Sequence, residues 1–295
     1  MTYAEKLRAS AHQVGNIACM GLDPQLEVLP VEGGDVRTTL NEFFQVLFRR
    51  MVLSGLIPAA FKPNIGYYQA LDRPRDEDFS GSQALADVLD MVENFFPGIP
   101  VILDSKRGDI ARSSLNYAIE AFDNWQTDAV TVAPYMGSDS LLPFINHFSK
   151  ERGVYILNRT SNPGGKDLQN LQVQDGEGTS SLYEHVAKNI ITYNEGLGSV
   201  GAVVGATNMA ELEEIAFLYA PKQVPLLIPG VGSQGGSATA VMNALRKVGY
   251  PVGLARINSS SGLTHPWKKA PAPDDWLQMC EASLRTLLEE TKLWM

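Results

Sequence analysis

Val101-Ile102-Leu103-Asp104-Ser105-Lys106-Arg107-Gly108-Asp109 runs from a short apolar, β-branched stretch straight into a dense group of charges, and a segment of helical periodicity from Ser113 to Trp125 follows it. A strand, a polar turn containing glycine and then a helix make one βα unit. The same order recurs outward in both directions. Further strands are predicted near Asn16 to Gly21, Ala59 to Ile65, Ala129 to Ala133, Val154 to Asn158, Gly201 to Gly205, Pro225 to Ile228 and Val252 to Ile257, with the central one from Pro100 to Asp104. Helical periodicity marks Thr39 to Ser54, Ser82 to Phe96, Ser180 to Glu195, Met209 to Tyr219, Ser237 to Val248 and Asp274 to Leu293.

Eight such units predict an α/β fold, a (β/α)8 TIM barrel. A doubly wound open sheet is the alternative, but no Gly-x-Gly-x-x-Gly follows the first strand, which counts against a dinucleotide fold. No linker or low-complexity tract divides the chain, so residues 1–295 are read as one barrel domain, with Leu71 to Gly81 a surface loop.

Composition narrows the function. With 44% hydrophobic and 19% charged residues the chain can bury a large core. Its net charge of -9 opposes binding to nucleic acid, while a small phosphorylated ligand needs only a few local donors. Cys19 and Cys280 are too few for a disulfide framework or a cysteine-rich zinc site and read as buried fillers. The opening residues lack the basic start and apolar run of a signal peptide, and no apolar stretch has membrane-spanning length, so a cytoplasmic location without membrane attachment is expected.

In a barrel the chemistry collects where the strands end. The first strand leads to Asp23, the second carries Lys62 in Phe61-Lys62-Pro63-Asn64, and the third ends in Asp104 with Lys106 and Asp109 beyond. Strand alternation places Asp104 and Lys106 on one side, close enough to pair. Such groups tolerate desolvation only when their charges alternate and hydrogen-bond one another. The bland alternatives are a solvated salt bridge in a turn and a Lys62 that snorkels to the rim. Later strands end in Asn158-Arg159-Thr160-Ser161-Asn162-Pro163-Gly164-Gly165 and in Pro229-Gly230-Val231-Gly232-Ser233-Gln234-Gly235-Gly236, where hydroxyls, amides and closely approaching backbone suit an oxyanion or a phosphate.

Phe61-Lys62-Pro63-Asn64, Leu103 to Ile110, Pro134 to Leu141, Arg159 to Gly164 and Pro229 to Gly236 together resemble, in order and across most of the chain, the orotidine 5'-phosphate decarboxylases, specifically their longer bacterial branch. The D-x-K-x-x-D pattern also occurs in related barrels acting on sugar phosphates; the Thr-Ser-Asn-Pro-Gly and Pro-Gly-Val-Gly-x-Gln-Gly-Gly segments favour the nucleotide enzyme. The resemblance implies decarboxylation of orotidine 5'-monophosphate to uridine 5'-monophosphate, in pyrimidine biosynthesis, without metal or organic cofactor. It implies Lys106 as proton donor, Asp104 against the departing carboxylate, and Lys62 and Asp109 completing the network and touching the ribose. It further implies a homodimer with shared sites, in which Asp109, with Ile110 and Ser113, reaches the neighbouring ligand. Asp23 would contact the ribose, Ser161 the pyrimidine, and Gln234 the phosphate and base, with Pro229 and Gly235 of the same loop also binding substrate.

One departure stands out: where the family has Ser-Arg after the eighth strand, this chain reads Asn258-Ser259-Ser260-Ser261-Gly262, with Ser261 at the arginine position. A hydroxyl cannot replace a charged, bidentate guanidinium. Backbone N–H groups or a nearby base must then hold the phosphate, and Lys268 and Lys269 are the candidate substitutes, with a plain surface pair as their other reading. His265 and Trp267 read as loop packing. Two rival functions remain: a sugar-phosphate decarboxylase or aldolase with magnesium on Asp104 and Asp109, and a nucleotide-binding barrel without catalysis, suggested by the missing arginine.

Overall fold

The computed structural model describes residues 1–30, 34–176, 178–232, 235–269 and 271–293. The strands are β1 (Ala18–Gly21), β2 (Ala60–Lys62), β3 (Ile102–Arg107), β4 (Ala129–Val132), β5 (Gly153–Arg159), β6 (Gln172–Asp175), β7 (Gly178–Ser181), β8 (Val200–Val204), β9 (Leu226–Ile228) and β10 (Ala255–Ser259). Eight of them form one parallel sheet in the order β2-β1-β10-β9-β8-β5-β4-β3, and β6 pairs with β7 as a separate antiparallel hairpin. Parallel bridges from Phe61 to Val101 and from Asn64 to Asp104 join the two ends of the sheet and close the expected barrel.

The helices are α1 (Tyr3–Val14), α2 (Val36–Leu53), α3 (Ile65–Gln69), α4 (Ser80–Phe95), α5 (Ala111–Ile119), α6 (Ser138–Phe148), α7 (Lys166–Gln169), α8 (Leu182–Asn194), α9 (Met209–Tyr219), α10 (Ala238–Lys247), α11 (Ser261–Thr264) and α12 (Trp276–Glu290). Most lie within a few residues of their predicted spans. Two long ones were not anticipated: α1, which opens on a capping box between Thr2 and Glu5, and α6, whose periodicity is interrupted by Pro143. The eighth barrel strand starts at Ala255 because Val252–Leu254 forms a 3-10 turn. Pro74–Asp76 is likewise a short turn within the predicted surface loop, which gives way to α4 at Ser80.

Adjacent residues on a strand face opposite ways, and that alternation separates packing from chemistry. Phe61 of β2 points outward to the helices, with its ring 4.8 Å from that of Phe96 and 5.7 Å from that of Phe48. Lys62 therefore points inward. Thr131, Leu157, Val203, Leu227 and Asn258 face the upper interior in the same way.

Two residues earlier on their strands, Tyr155, Gly201 and Arg256 fill the layer below. Gly201 has no side chain because a Cβ there would lie 2.8 Å from ring atoms of Tyr155. Arg256, fully buried, donates to the carbonyls of Leu7 (2.6 Å), Ala59 (3.2 Å), Gly253 (3.2 Å) and Ala255 (2.7 Å) and to Ser10 Oγ (2.6 Å). Because Leu7 and Ser10 belong to α1, this guanidinium ties the first helix across the base of the barrel.

Tyr3 completes the plug: its hydroxyl donates to that of Tyr155 at 3.2 Å, and its ring occupies the space that a side chain at position 153 would need. Gly153→Ala would bring a Cβ within 2.3 Å of the Tyr3 ring, so the variant is expected to lose about 1–3 kcal/mol of stability, read as a lower urea unfolding midpoint at unchanged slope.

Candidate active site

The site is built on Asp104, only 7% exposed, at the start of the irregular stretch within β3. Its Oδ2 accepts from Lys62 Nζ at 2.7 Å, and its Oδ1 accepts from Lys106 Nζ at 2.6 Å and from Thr131 Oγ1 at 2.8 Å. Lys62 is buried with Asp104, whereas the Lys106 side chain is 48% exposed and closes the array on the solvent side. Burial alone would push the Asp104 carboxyl up, but attraction and hydrogen bonds from the two ammonium groups outweigh it and hold the carboxyl well below its usual range. For Lys62, burial opposes the charge, and Asp104 together with Asp23 overcomes that and raises its pKa.

The expected contact between Asp104 and Lys106 is present, but regular alternation does not make it. Leu103 pairs with Val130 and Arg107 with Val132, so Asp104, Ser105 and Lys106 all stand opposite Thr131. This is a bulge with two extra residues, and within it Lys106 takes a left-handed φ of 48°.

Beside Lys62, beyond the end of the adjacent strand β1, Asp23 Oδ1 accepts from the Asn64 backbone N–H at 3.1 Å, and its Oδ2 accepts from Ser260 Oγ at 2.7 Å. Gly21 permits that contact, since a Cβ there would meet Ser260 Cβ at 2.5 Å. These groups border a cavity of about 470 Å³ whose lining includes Asp23, Lys62, Asp104, Lys106, Ser161 and Pro229. Ser161 reaches it because Arg159 anchors its loop: the guanidinium pairs with Glu211 at 2.7 Å and donates to Gln169 Oε1 at 2.9 Å. Past Pro229 the chain folds back, with Gly236 N–H donating to Gly230 O at 3.0 Å and Gly235 N–H to Gly232 O at 2.9 Å. Gly230, Gly232 and Gly235 all have positive φ.

Other predicted residues fall elsewhere. Asp109, Ile110 and Ser113 lie in the loop after β3 and the first turn of α5, outside the lining of this cavity, and Asp109 Oδ1 accepts from the neighbouring Ile110 N–H at 2.8 Å. Gly235 is exposed near the loop tip, and Gln234 lies outside the described residues. Ser261 opens α11 away from the cavity, which is lined instead by Asn258, Ser259 and Ser260. Lys268 and Lys269 are exposed and do not line it. His265 is buried, with Nδ1 2.9 Å from Thr264 Oγ1, and Trp267 Nε1 donates to Val28 O at 3.0 Å, so both pack the loop.

Asn64, Thr131 and Asn258 also line the cavity, although none of them is a predicted site residue. Asn258 Oδ1 is buried without a protein hydrogen-bond partner among the described residues. Its neighbours Ser259 and Ser260 were the available signal, since three consecutive polar residues at the end of a buried strand are unusual.

Fold and site together define a (β/α)8-barrel protein whose cavity, at the carboxyl ends of the strands, holds an alternating array of ammonium and carboxylate groups. A profile of the orotidine 5'-phosphate decarboxylase / HUMPS family matches residues 60–249, and the chain belongs to that family. It is 37% identical over 286 residues to the orotidine 5'-phosphate decarboxylase of Variovorax paradoxus strain S110, spanning 97% of this chain and 96% of that protein. The corresponding protein of Albidiferax ferrireducens is 40% identical over 245 residues, 83% of this chain and 80% of its own. Among solved structures, Leishmania donovani OMP decarboxylase superposes with a TM-score of 0.74 at 31% identity, covering 98% of this chain and 97% of that one.

The depressed Asp104 pKa makes a stability prediction. A carboxyl whose folded pKa lies below its ordinary 3.8 stabilises the fold above that value, and the contribution is lost as pH falls toward the folded pKa. Asp104→Asn, which leaves two ammonium groups facing a neutral amide, is expected to cost about 3–5 kcal/mol near neutral pH. In urea denaturation the gap to wild type should shrink steadily below about pH 4.

Proposed function

We infer that this chain decarboxylates orotidine 5'-monophosphate to uridine 5'-monophosphate and carbon dioxide, as an orotidine 5'-phosphate decarboxylase of pyrimidine biosynthesis, with Lys106 as the proton donor. The observation that carries the chemical assignment is the Lys62-Asp104-Lys106 array, with both carboxylate oxygens held by ammonium groups at 2.7 Å or less. Breaking the bond to the departing carboxylate leaves its electron pair on a ring carbon without a conjugated sink. A fixed ammonium stabilises that developing charge and then supplies a proton to the same carbon. Lys106 is left as a neutral amine and regains its proton from solvent, to which it is half exposed.

Asp104, itself anionic and hydrogen-bonded, faces the substrate carboxylate and holds Lys106 in place. Asp23, with Lys62 behind it, receives the ribose hydroxyls, and Ser161 the pyrimidine edge. No lysine or arginine other than Lys62 and Lys106 lines the cavity among the described residues. The phosphate is therefore assigned to the neighbouring hydroxyls and to those backbone N–H groups of the loop after Pro229 other than Gly232, Gly235 and Gly236, whose N–H groups donate to carbonyls within the loop, rather than to Lys268 or Lys269. Remote binding energy from these contacts draws the loops over the substrate.

The protein acts as a cytoplasmic homodimer. Ile110 (50% exposed), Tyr135 (81%), Met136 (45%) and Leu142 (38%) form exposed apolar groups on the loops and helices beside Asp109, and this supports a partner covering that face and receiving Asp109 at its own site. A magnesium-dependent reading is less well served. Asp104 has both oxygens engaged by ammonium groups that a metal would have to displace, and Asp109 lies outside the cavity lining.

Purified protein is expected to consume orotidine 5'-monophosphate, followed by ultraviolet absorbance, equally with and without chelator. Lys106→Ala should lose at least about 100-fold in kcat. Retained turnover in that variant would remove Lys106 as donor, and chelator inhibition would favour the metal reading. A shared site makes a second prediction: Lys106→Ala and Asp109→Ala, each inactive alone, should regain about a quarter of wild-type activity when mixed and allowed to exchange subunits. Lys268→Ala and Lys269→Ala are expected to leave KM unchanged.

A further inference from the structure

Thr131 is buried on β4, directly opposite the bulge of β3. The bulge takes two backbone N–H groups out of the ladder, and both turn to this one side chain: Ser105 N–H donates to Thr131 Oγ1 at 3.1 Å and Lys106 N–H at 3.0 Å. Two donors occupy both lone pairs of the hydroxyl, so its own proton has a single remaining direction. That direction is Asp104 Oδ1, 2.8 Å away.

The orientation of the hydroxyl is thus dictated by the backbone. It donates to the carboxylate and, with both lone pairs taken by the Ser105 and Lys106 N–H groups, cannot accept from a further donor while the bulge persists. The same oxygen supports Lys106 from two sides. It holds the residue's backbone in a left-handed conformation that non-glycine residues rarely adopt, and it orients the carboxylate oxygen that receives the Lys106 ammonium at 2.6 Å. Ladder pairing resumes immediately afterwards, with Ala133 N–H donating to Arg107 O at 2.8 Å, so the irregularity is confined to the residues that carry the charges.

We propose that Thr131 is a positioning residue for the decarboxylation, its hydroxyl converting the β3 bulge into a fixed placement of Asp104 and the Lys106 ammonium. The inference rests on the functional reading above. Thr131 lines the cavity beside Asp104, to which its hydroxyl is committed, and its contribution is to geometry rather than to substrate affinity.

The test compares Thr131→Val, which keeps the shape and removes the hydroxyl, with Thr131→Ser, which keeps the hydroxyl. Thr131→Val is expected to lose about 10- to 100-fold in kcat, the factor carried by one hydrogen bond to a charged group. KM for orotidine 5'-monophosphate, and the affinity and stoichiometry of uridine 5'-monophosphate binding, should stay within about twofold, because binding is left intact. Thr131→Ser should retain kcat within about threefold.

A valine variant with wild-type kcat, or a serine variant as slow as the valine one, overturns the proposal, the second because packing rather than the hydroxyl would then be responsible. Should Thr131→Val fail to fold, Thr131→Cys replaces it under the same criteria, since a thiol is a poor donor and acceptor. Wild-type turnover beside an unimpaired variant defeats this inference alone, whereas an inactive wild type defeats the functional reading and this inference with it.

Discussion

A carboxylate held between two ammonium groups inside a barrel is the constraint to which the rest of the structure answers. Removing each ion from water costs several kcal/mol, and mutual attraction offsets that only when the geometry is good and the remaining lone pairs are used. Asp104 meets the condition because its neighbours come from three strands: Lys62 from β2, Lys106 from its own β3 and Thr131 from β4. The arrangement depends on barrel closure, since Asp104 N–H donates to Pro63 O at 2.9 Å across the seam where β2 meets β3. An open sheet would leave Lys62 and Asp104 on separate edges.

Below the charged layer, the barrel solves a different problem. Its floor must be filled, and Tyr155, Arg256 and the ring of Tyr3 do so with polar tips whose partners lie within the floor itself. Among the described residues Arg256 pairs with no carboxylate; carbonyl oxygens and Ser10 receive its donors, and burial lowers its pKa. A floor closed by α1 leaves the cavity open only at the carboxyl ends of the strands. Polar residues on alternate positions of one strand therefore serve two ends of the molecule, as Arg256 and Asn258 do on β10.

The barrel was legible because its strands are apolar and β-branched, its turns are rich in glycine and polar residues, and the two kinds of segment alternate. Lys62, Asp104 and Lys106 were legible because charge at the end of an apolar strand has few structural uses. What lay beyond reach depends on register. Alternation gave the right neighbours for Asp104 and Lys106 but not the two-residue bulge that joins them, because nothing local in Asp-Ser-Lys says which residues will face Thr131. The choice of Ser260 over Ser261 is of the same kind: it follows from Gly21, which lies far away in sequence and next to it in space. Helix α6 was hidden by Pro143, and α1 lay before the first strand, outside the repeating pattern.

The phosphate end of the proposed site raises the last physical question, namely what neutral donors do that an arginine would not. A guanidinium attracts an anion from several ångströms away and tolerates some misplacement. Backbone N–H groups act only on contact and only along fixed directions, so their use demands a loop of defined shape. Gly230, Gly232 and Gly235, with φ of 95°, 84° and 90°, and the hydrogen bonds that fold Gly235 and Gly236 back on the strand end supply such a shape. Discrimination then comes from fit rather than from charge. On the proposed reading, the loop and Ser260, which donates to Asp23 on the side assigned to the ribose, respond together to one ligand, and the distance between its phosphate and sugar is the quantity that the site measures.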